Sequence, residues 1–91
     1  MSDPVPLMPR GVRLHDDRVR GTMVLLAPER AVMLDDAGAA ILAEVDGQRS
    51  VTAIAARLAE RYAAPLAEIE GDVRDFLSDL QAQRILDWAD A

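Results

Sequence analysis

Two apolar runs, Val24-Leu25-Leu26-Ala27 and Ala31-Val32-Met33-Leu34, are separated only by Pro28-Glu29-Arg30. β-Branched and long aliphatic residues suit strands, and proline suits the break between them. The pattern predicts a β-hairpin. Almost everything after residue 34 carries helical spacing, so the hairpin has to lie on a helical platform. Its second arm, residues 30–34, is then the last strand of a small sheet. An edge strand leaves its outer N–H and C=O groups unpaired, and such a flank can accept another chain. Proline at Val32 is the substitution expected to block that flank, because it removes a backbone donor.

Upstream of the hairpin, residues 1–9 hold Pro4, Pro6 and Pro9 and are expected to form an extended, mobile arm. Residues 11–15 alternate apolar and polar side chains and predict a short first strand, with Asp16-Asp17-Arg18 as the turn behind it. His15 falls at the exposed end of that strand and is given no role. The second strand is expected at residues 22–27 and the third at 31–34.

Downstream, Asp35-Asp36 reads as a helix N-cap followed by an acid favourable to the dipole. A first helix is expected over residues 37–45, stopped by Asp46-Gly47. Ser50 caps a second, in which Val51, Ile54, Ala55, Leu58 and Tyr62 follow helical spacing. Ala63-Ala64-Pro65 breaks it, and proline fits the first turn of a third helix. There, Leu66, Ile69, Val73, Phe76, Leu77 and Leu80 recur at three- and four-residue steps, while Glu68, Glu70, Asp72, Asp75 and Asp79 occupy the other faces beside Arg74. Gly71 within that helix suggests a point of close packing. Residues 84–88 close the chain as a short strand or as a segment laid on the core. The expected fold class is α+β, a small winged-helix-like domain in which an N-terminal three-stranded antiparallel sheet precedes three helices. The 91 residues are expected to form one domain, with the arm at 1–9, the sheet at 10–34 and the helical platform at 35–91.

Charge and residue usage remove whole classes of function. Net charge is -6, and it is unevenly spread. Residues 1–34 carry a net +1, while residues 35–91 carry a net -7. A third helix this acidic repels phosphate, where a DNA-recognition helix needs Arg, Lys, Asn or Gln. There is no cysteine and only one histidine, which excludes disulfides, thiolate nucleophiles and histidine-pair metal sites. Asp16-Asp17 and Asp35-Asp36 sit where turns and caps want acids, and no Gly-rich phosphate loop or nucleophile–base spacing is present. Neither a catalytic residue nor a metal or other cofactor is expected, and the chain reads as a non-enzyme. No apolar stretch is long enough to cross a bilayer, and the N-terminus lacks the features of a secretory signal, so a cytoplasmic protein is expected.

A helix packed beneath an edge strand leaves a groove between the two. Val73 and Phe76 are the candidates for its floor, with Asp72, Asp75 and Asp79 on its rim. A peptide paired with the third strand would lay alternate side chains into this groove, and its basic residues would reach the acids. Two readings of other classes stand beside this one. The topology alone also suits a winged-helix transcription regulator, and an unprotected edge also suits a self-associating module that pairs or swaps strands between copies.

Several segments together carry a resemblance. They are Leu25-Leu26-Ala27-Pro28-Glu29, Leu34-Asp35 followed by Ile41-Leu42, Asp46-Gly47-Gln48-Arg49-Ser50-Val51, and Asp72-Val73-Arg74-Asp75-Phe76-Leu77 followed by Trp88. In this order and spacing the chain past Pro9 resembles the pyrroloquinoline quinone biosynthesis protein D family. Asp35 stands where asparagine is more usual, and Ser50 where threonine is; each remains a helix cap. The resemblance implies a non-catalytic peptide chaperone that binds the ribosomal precursor peptide of the cofactor. It implies that the peptide is presented to a radical S-adenosylmethionine enzyme, and that the leader pairs with the third strand beside the third helix. The peptide-binding residues so expected are Arg30, Ala31, Val32, Met33 and Leu34 on the strand. On the helix they are Glu68, Ile69, Asp72, Val73, Asp75, Phe76 and Asp79.

Overall fold

The computed structural model describes residues 3–89. Two antiparallel sheets pack on three helices. The larger sheet has the order β2-β3-β4, from β2 (Arg13–Asp17), β3 (Thr22–Ala27) and β4 (Arg30–Met33). The smaller pairs β1 (Val5–Leu7) with β5 (Asp87–Ala89), joining the two ends of the described chain. The helices are α1 (Asp36–Ala43), α2 (Val51–Tyr62) and α3 (Leu66–Ala82).

The hairpin forms where the apolar runs predict it, with Ala27 opposite Arg30 and Pro28-Glu29 as a two-residue loop. The first strand of the expected sheet lies two residues later than the alternation suggested. It continues through Asp16 and Asp17, and the turn falls at residues 18–21. Asp17 Oδ1 accepts from the N–H groups of Val19 and Arg20, both at 3.2 Å, so this aspartate initiates the turn from the strand's last position.

The helix caps follow local chemistry. Asp35 accepts from Gly38 N at 2.7 Å and Ser50 from Ala53 N at 3.1 Å, each satisfying one of the N–H groups that a helix start leaves orphaned. Pro65 is the N-cap of α3 rather than a residue of its first turn, and it offers no side-chain bond. Helix α1 ends at Ala43, two residues short of the expected span, with Glu44 as its C-cap.

Glu44 is the one buried charged residue among the described residues, 5% exposed. Its carboxylate meets Arg57 Nε, Arg61 Nη2 at 3.4 Å and Arg49 Nη1 at 3.6 Å, tying the end of α1 to α2. Three guanidinium partners offset the cost of removing one carboxylate from water. The core joins Leu25 of β3 to Leu42 of α1, Ile54 of α2, Leu77 of α3 and Leu86 before β5. Burying each such side chain contributes roughly 1.5–3 kcal/mol.

Two expectations need correction. The single three-stranded sheet is joined by a second, because residues 5–7 are a strand and not part of a mobile arm. Pro6 is buried opposite Trp88, and the Pro4 carbonyl accepts from Val51 N at 2.9 Å. Residues 1 and 2 lie outside the described residues. Proline is tolerated in so short an edge strand because the pairing needs few of its N–H groups. Gly71 marks no close approach, since a Cβ placed there would meet nothing within 4 Å.

Candidate functional site

The register of the hairpin decides which backbone groups of β4 are free. Leu25 lies opposite Val32, and Leu34 N donates to Met23 O at 3.0 Å. Antiparallel pairs alternate between hydrogen-bonded and non-hydrogen-bonded positions. Arg30, Val32 and Leu34 therefore turn their N–H groups to β3, and Ala31 and Met33 turn theirs away. Among the described residues β4 pairs with β3 alone. The outward edge thus presents two donors and two acceptors, from Ala31 and Met33, at the repeat an added strand requires.

Side chains alternate with the same period. Val32 and Leu34 face the core; Leu34 is buried and Val32 half-buried. Ala31 and Met33 face solvent, where Met33 is 58% exposed and its Sδ receives Arg20 Nη1 at 3.7 Å. The Val32 expectation needs revision on this ground. Its N–H belongs to the hairpin's own ladder, so proline there would break the sheet, and the outward donors are those of its neighbours.

Helix α3 runs beside β4 in the opposite direction. Arg30, the first residue of β4, donates through Nη1 to Gln83 Oε1 at 3.4 Å and through Nη2 to the Gln83 carbonyl, just past the end of α3. Beyond the other end of β4, Gly38 of α1 meets the Phe76 ring, and a Cβ at Gly38 would lie 3.1 Å from Cε1 and Cζ. At about 100° per residue, Ile69, Asp72, Phe76, Asp79 and Gln83 share the flank of α3 that faces these contacts. A cavity of about 490 Å³ opens between the hairpin loop and residues 83–85.

The expected site residues divide accordingly. Phe76, half-buried, and Asp79, exposed, lie on the flank beside β4, and Gln83 Nε2 donates to Asp79 Oδ2 at 3.1 Å. Ile69, Asp72 and Val73 lie further along α3, against α1. Val73 is only 1% exposed and forms the floor of a cleft between α1 and α3. Glu68 and Asp75, both exposed, fall within about 20° and 40° of Asp79 in helical rotation and continue its acidic row on the outer margin of this flank, Glu68 nearer the start of α3. Glu70 faces α2, where it receives Thr52 Oγ1 and pairs with Arg74 Nη2 at 3.3 Å. Among the described residues no arginine pairs with Glu68, Asp72, Asp75 or Asp79, so this side of α3 keeps its negative field. Sequence reasoning missed Gly38, Arg30's bond to Gln83, and Gln83 itself. Only the glycine in the first turn of α1 was a visible signal.

The family model for coenzyme PQQ synthesis protein D (PqqD) matches residues 22–86, from the first residue of β3 to the buried Leu86. The chain belongs to the PqqD family. A PqqA binding protein of Rhizobium meliloti (strain 1021) is 53% identical over 78 residues, which are 86% of this chain and 80% of that one. The solution NMR structure of the PqqD truncation of Methylobacterium extorquens PqqCD, a functional and stand-alone RiPP recognition element, is 48% identical. It superposes with a TM-score of 0.81 over 91% of this chain and 88% of that one. TbiB1 in complex with the TbiA(beta) leader peptide is 25% identical, with a TM-score of 0.75 over 92% and 99% of the two chains. The PqqD match takes in the hairpin, α3 and α1 together, which are the elements that frame the free edge; β1 and β2 lie outside it.

Proposed function

We propose that this PqqD-family chain binds the PqqA precursor peptide as an added strand on the outer edge of β4 and presents it to a radical S-adenosylmethionine enzyme. It performs no chemistry of its own. The observation that carries this reading is the outward set of backbone groups on Ala31 and Met33, left unpaired beside an acidic helix. Backbone pairing supplies affinity with little sequence preference, while side chains on α3 supply the choice of guest. The contacts at the two ends of β4 support the reading, since Arg30 bonds Gln83 at one and Gly38 meets Phe76 beyond the other.

Titration of ¹⁵N-labelled protein with PqqA tests it. The amides of Ala31 and Met33 should shift first and become protected from exchange. If they stay unmoved while the peptide binds, strand addition is wrong. The same edge also suits pairing with a second copy, so sedimentation with and without PqqA should show any dimer dissociating as the peptide takes its place.

A further inference from the structure

The flank of α3 that runs beside β4 does not end at Phe76. One to two turns earlier the same flank carries Asp72 and Ile69, and there it is faced by α1 instead of by a strand. Between the two helices lies a cleft of about 320 Å³, with Ala37, Ala40 and Ile69 as its walls. Its floor is Ile41, Leu58 and Val73, all buried. The rim holds two exposed carboxylates, Asp36 and Asp72, with Tyr62 at the far lip, 57% exposed. No arginine lines it. Arg61, which lies 5.9 Å from the Tyr62 ring, turns its guanidinium to Glu44. Its walls are two alanines and Ile69 over an aliphatic floor, so the cleft is open and apolar, an arrangement that favours burial of an apolar side chain.

We infer that this cleft is a second anchoring subsite for the guest: it takes one aliphatic or aromatic side chain with a basic residue beside it, from the stretch of peptide that continues past the end of β4. The inference rests on the strand-addition reading for the direction of the guest, and on two observations for the site. The first is continuity. A chain leaving the β4 edge at Met33 arrives at the exposed start of α1, where Asp36 and Ala37 form the near wall of the cleft. The pinch between Gly38 and Phe76 divides the groove into a backbone-pairing half and a side-chain-binding half. The second is charge. An apolar hole whose rim charges are both negative selects a neighbour of opposite sign, and a long basic side chain can lay its methylene stem on Ile69 while its head reaches Asp72.

The test uses full PqqA and a form cut back to the stretch that pairs with β4. With the full peptide, intermolecular NOEs should run from a guest side chain to Ala37, Ala40, Ile69 and the Tyr62 ring. Filling the cleft by Ala37→Phe should weaken full PqqA about tenfold and leave the shortened form unchanged, while Asp72→Asn should weaken it a few-fold at low salt and not at high salt. NOEs confined to β4 and Phe76, or binding of full PqqA to Ala37→Phe within twofold of wild type, would overturn the subsite. Ala40→Phe repeats the test from the deeper wall should Ala37→Phe fold poorly. Met33→Pro separates the two readings. If it is harmless while the cleft NOEs persist, the edge reading fails and the cleft stands; if wild-type protein bound to full PqqA protects the Ala31 and Met33 amides and shows no cleft NOEs, the edge stands and the cleft fails.

Discussion

Met33→Pro and Val32→Pro, adjacent substitutions on β4, should have opposite consequences. The Met33 N–H points away from β3, and its side chain is largely in solvent. Proline there removes no bond of the hairpin. It takes one donor from the outer edge and puts a ring where the guest backbone must approach. Four backbone hydrogen bonds are available to a guest from Ala31 and Met33, each worth about 1 kcal/mol net. Losing one outright and displacing a second costs about 2 kcal/mol, a weakening of about 30-fold. Val32→Pro instead removes the N–H that faces Leu25 and sets a ring against β3, so it should unfold the hairpin. Calorimetric titration with PqqA gives the affinities. Far-ultraviolet circular dichroism and the fluorescence of Trp88, the chain's single tryptophan, report the fold. If folded Met33→Pro binds PqqA within twofold of wild type, the edge of β4 does not pair with the peptide.

Three further outcomes follow from the packing. Gly71→Ala should stabilise by up to about 1 kcal/mol, since the added methyl meets open space on an exposed helix face, and the thermal midpoint should rise by several degrees. Glu44→Ala should destabilise by about 1–3 kcal/mol in urea, because Arg49, Arg57 and Arg61 lose their shared acceptor; the half-exposed guanidiniums regain water, which keeps the loss below that of a fully buried pair. Asp46 is held below its ordinary value of 3.8 by backbone N–H groups of Arg49 and then Gln48. A depressed carboxylate stabilises the fold above its unfolded value and ceases to do so as pH falls through its folded one. The thermal midpoint should therefore drop less steeply below about pH 4 in Asp46→Asn than in wild type.

The hairpin, the three helices and two of the caps were legible because each rests on local chemistry: Pro28 between aliphatic runs, Asp35 and Ser50 ahead of periodic segments. The smaller sheet was not. Its partners lie 80 to 84 residues apart in sequence, and a stretch with three prolines reads as an arm until Trp88 is found opposite Pro6. The helix-three stripe identified the core but not its division. Val73 and Phe76 share one apolar face in sequence, and only the position of α1 puts the first under a cleft and the second beside β4. The rim acids share one helical row, and it is height along α3 that separates them: Asp79 bonds Gln83 near the start of β4, while Asp72 lies on the cleft with α1.

Strand recognition leaves little trace in side-chain types, because the groups that bind are main-chain N–H and C=O. What the sequence does encode is the parity of the hairpin. A two-residue loop at Pro28-Glu29 makes Ala27 and Arg30 a hydrogen-bonded pair, and from there every second residue of β4 faces inward. A slip of one residue that drew Arg30 into the loop and set Ala31 opposite Ala27 would turn the N–H groups of Val32 and Leu34 to the outer edge and their aliphatic side chains from the core to solvent. The same turn therefore sets both the packing of β4 and the identity of its free donors. A sequence change that alters one must alter the other.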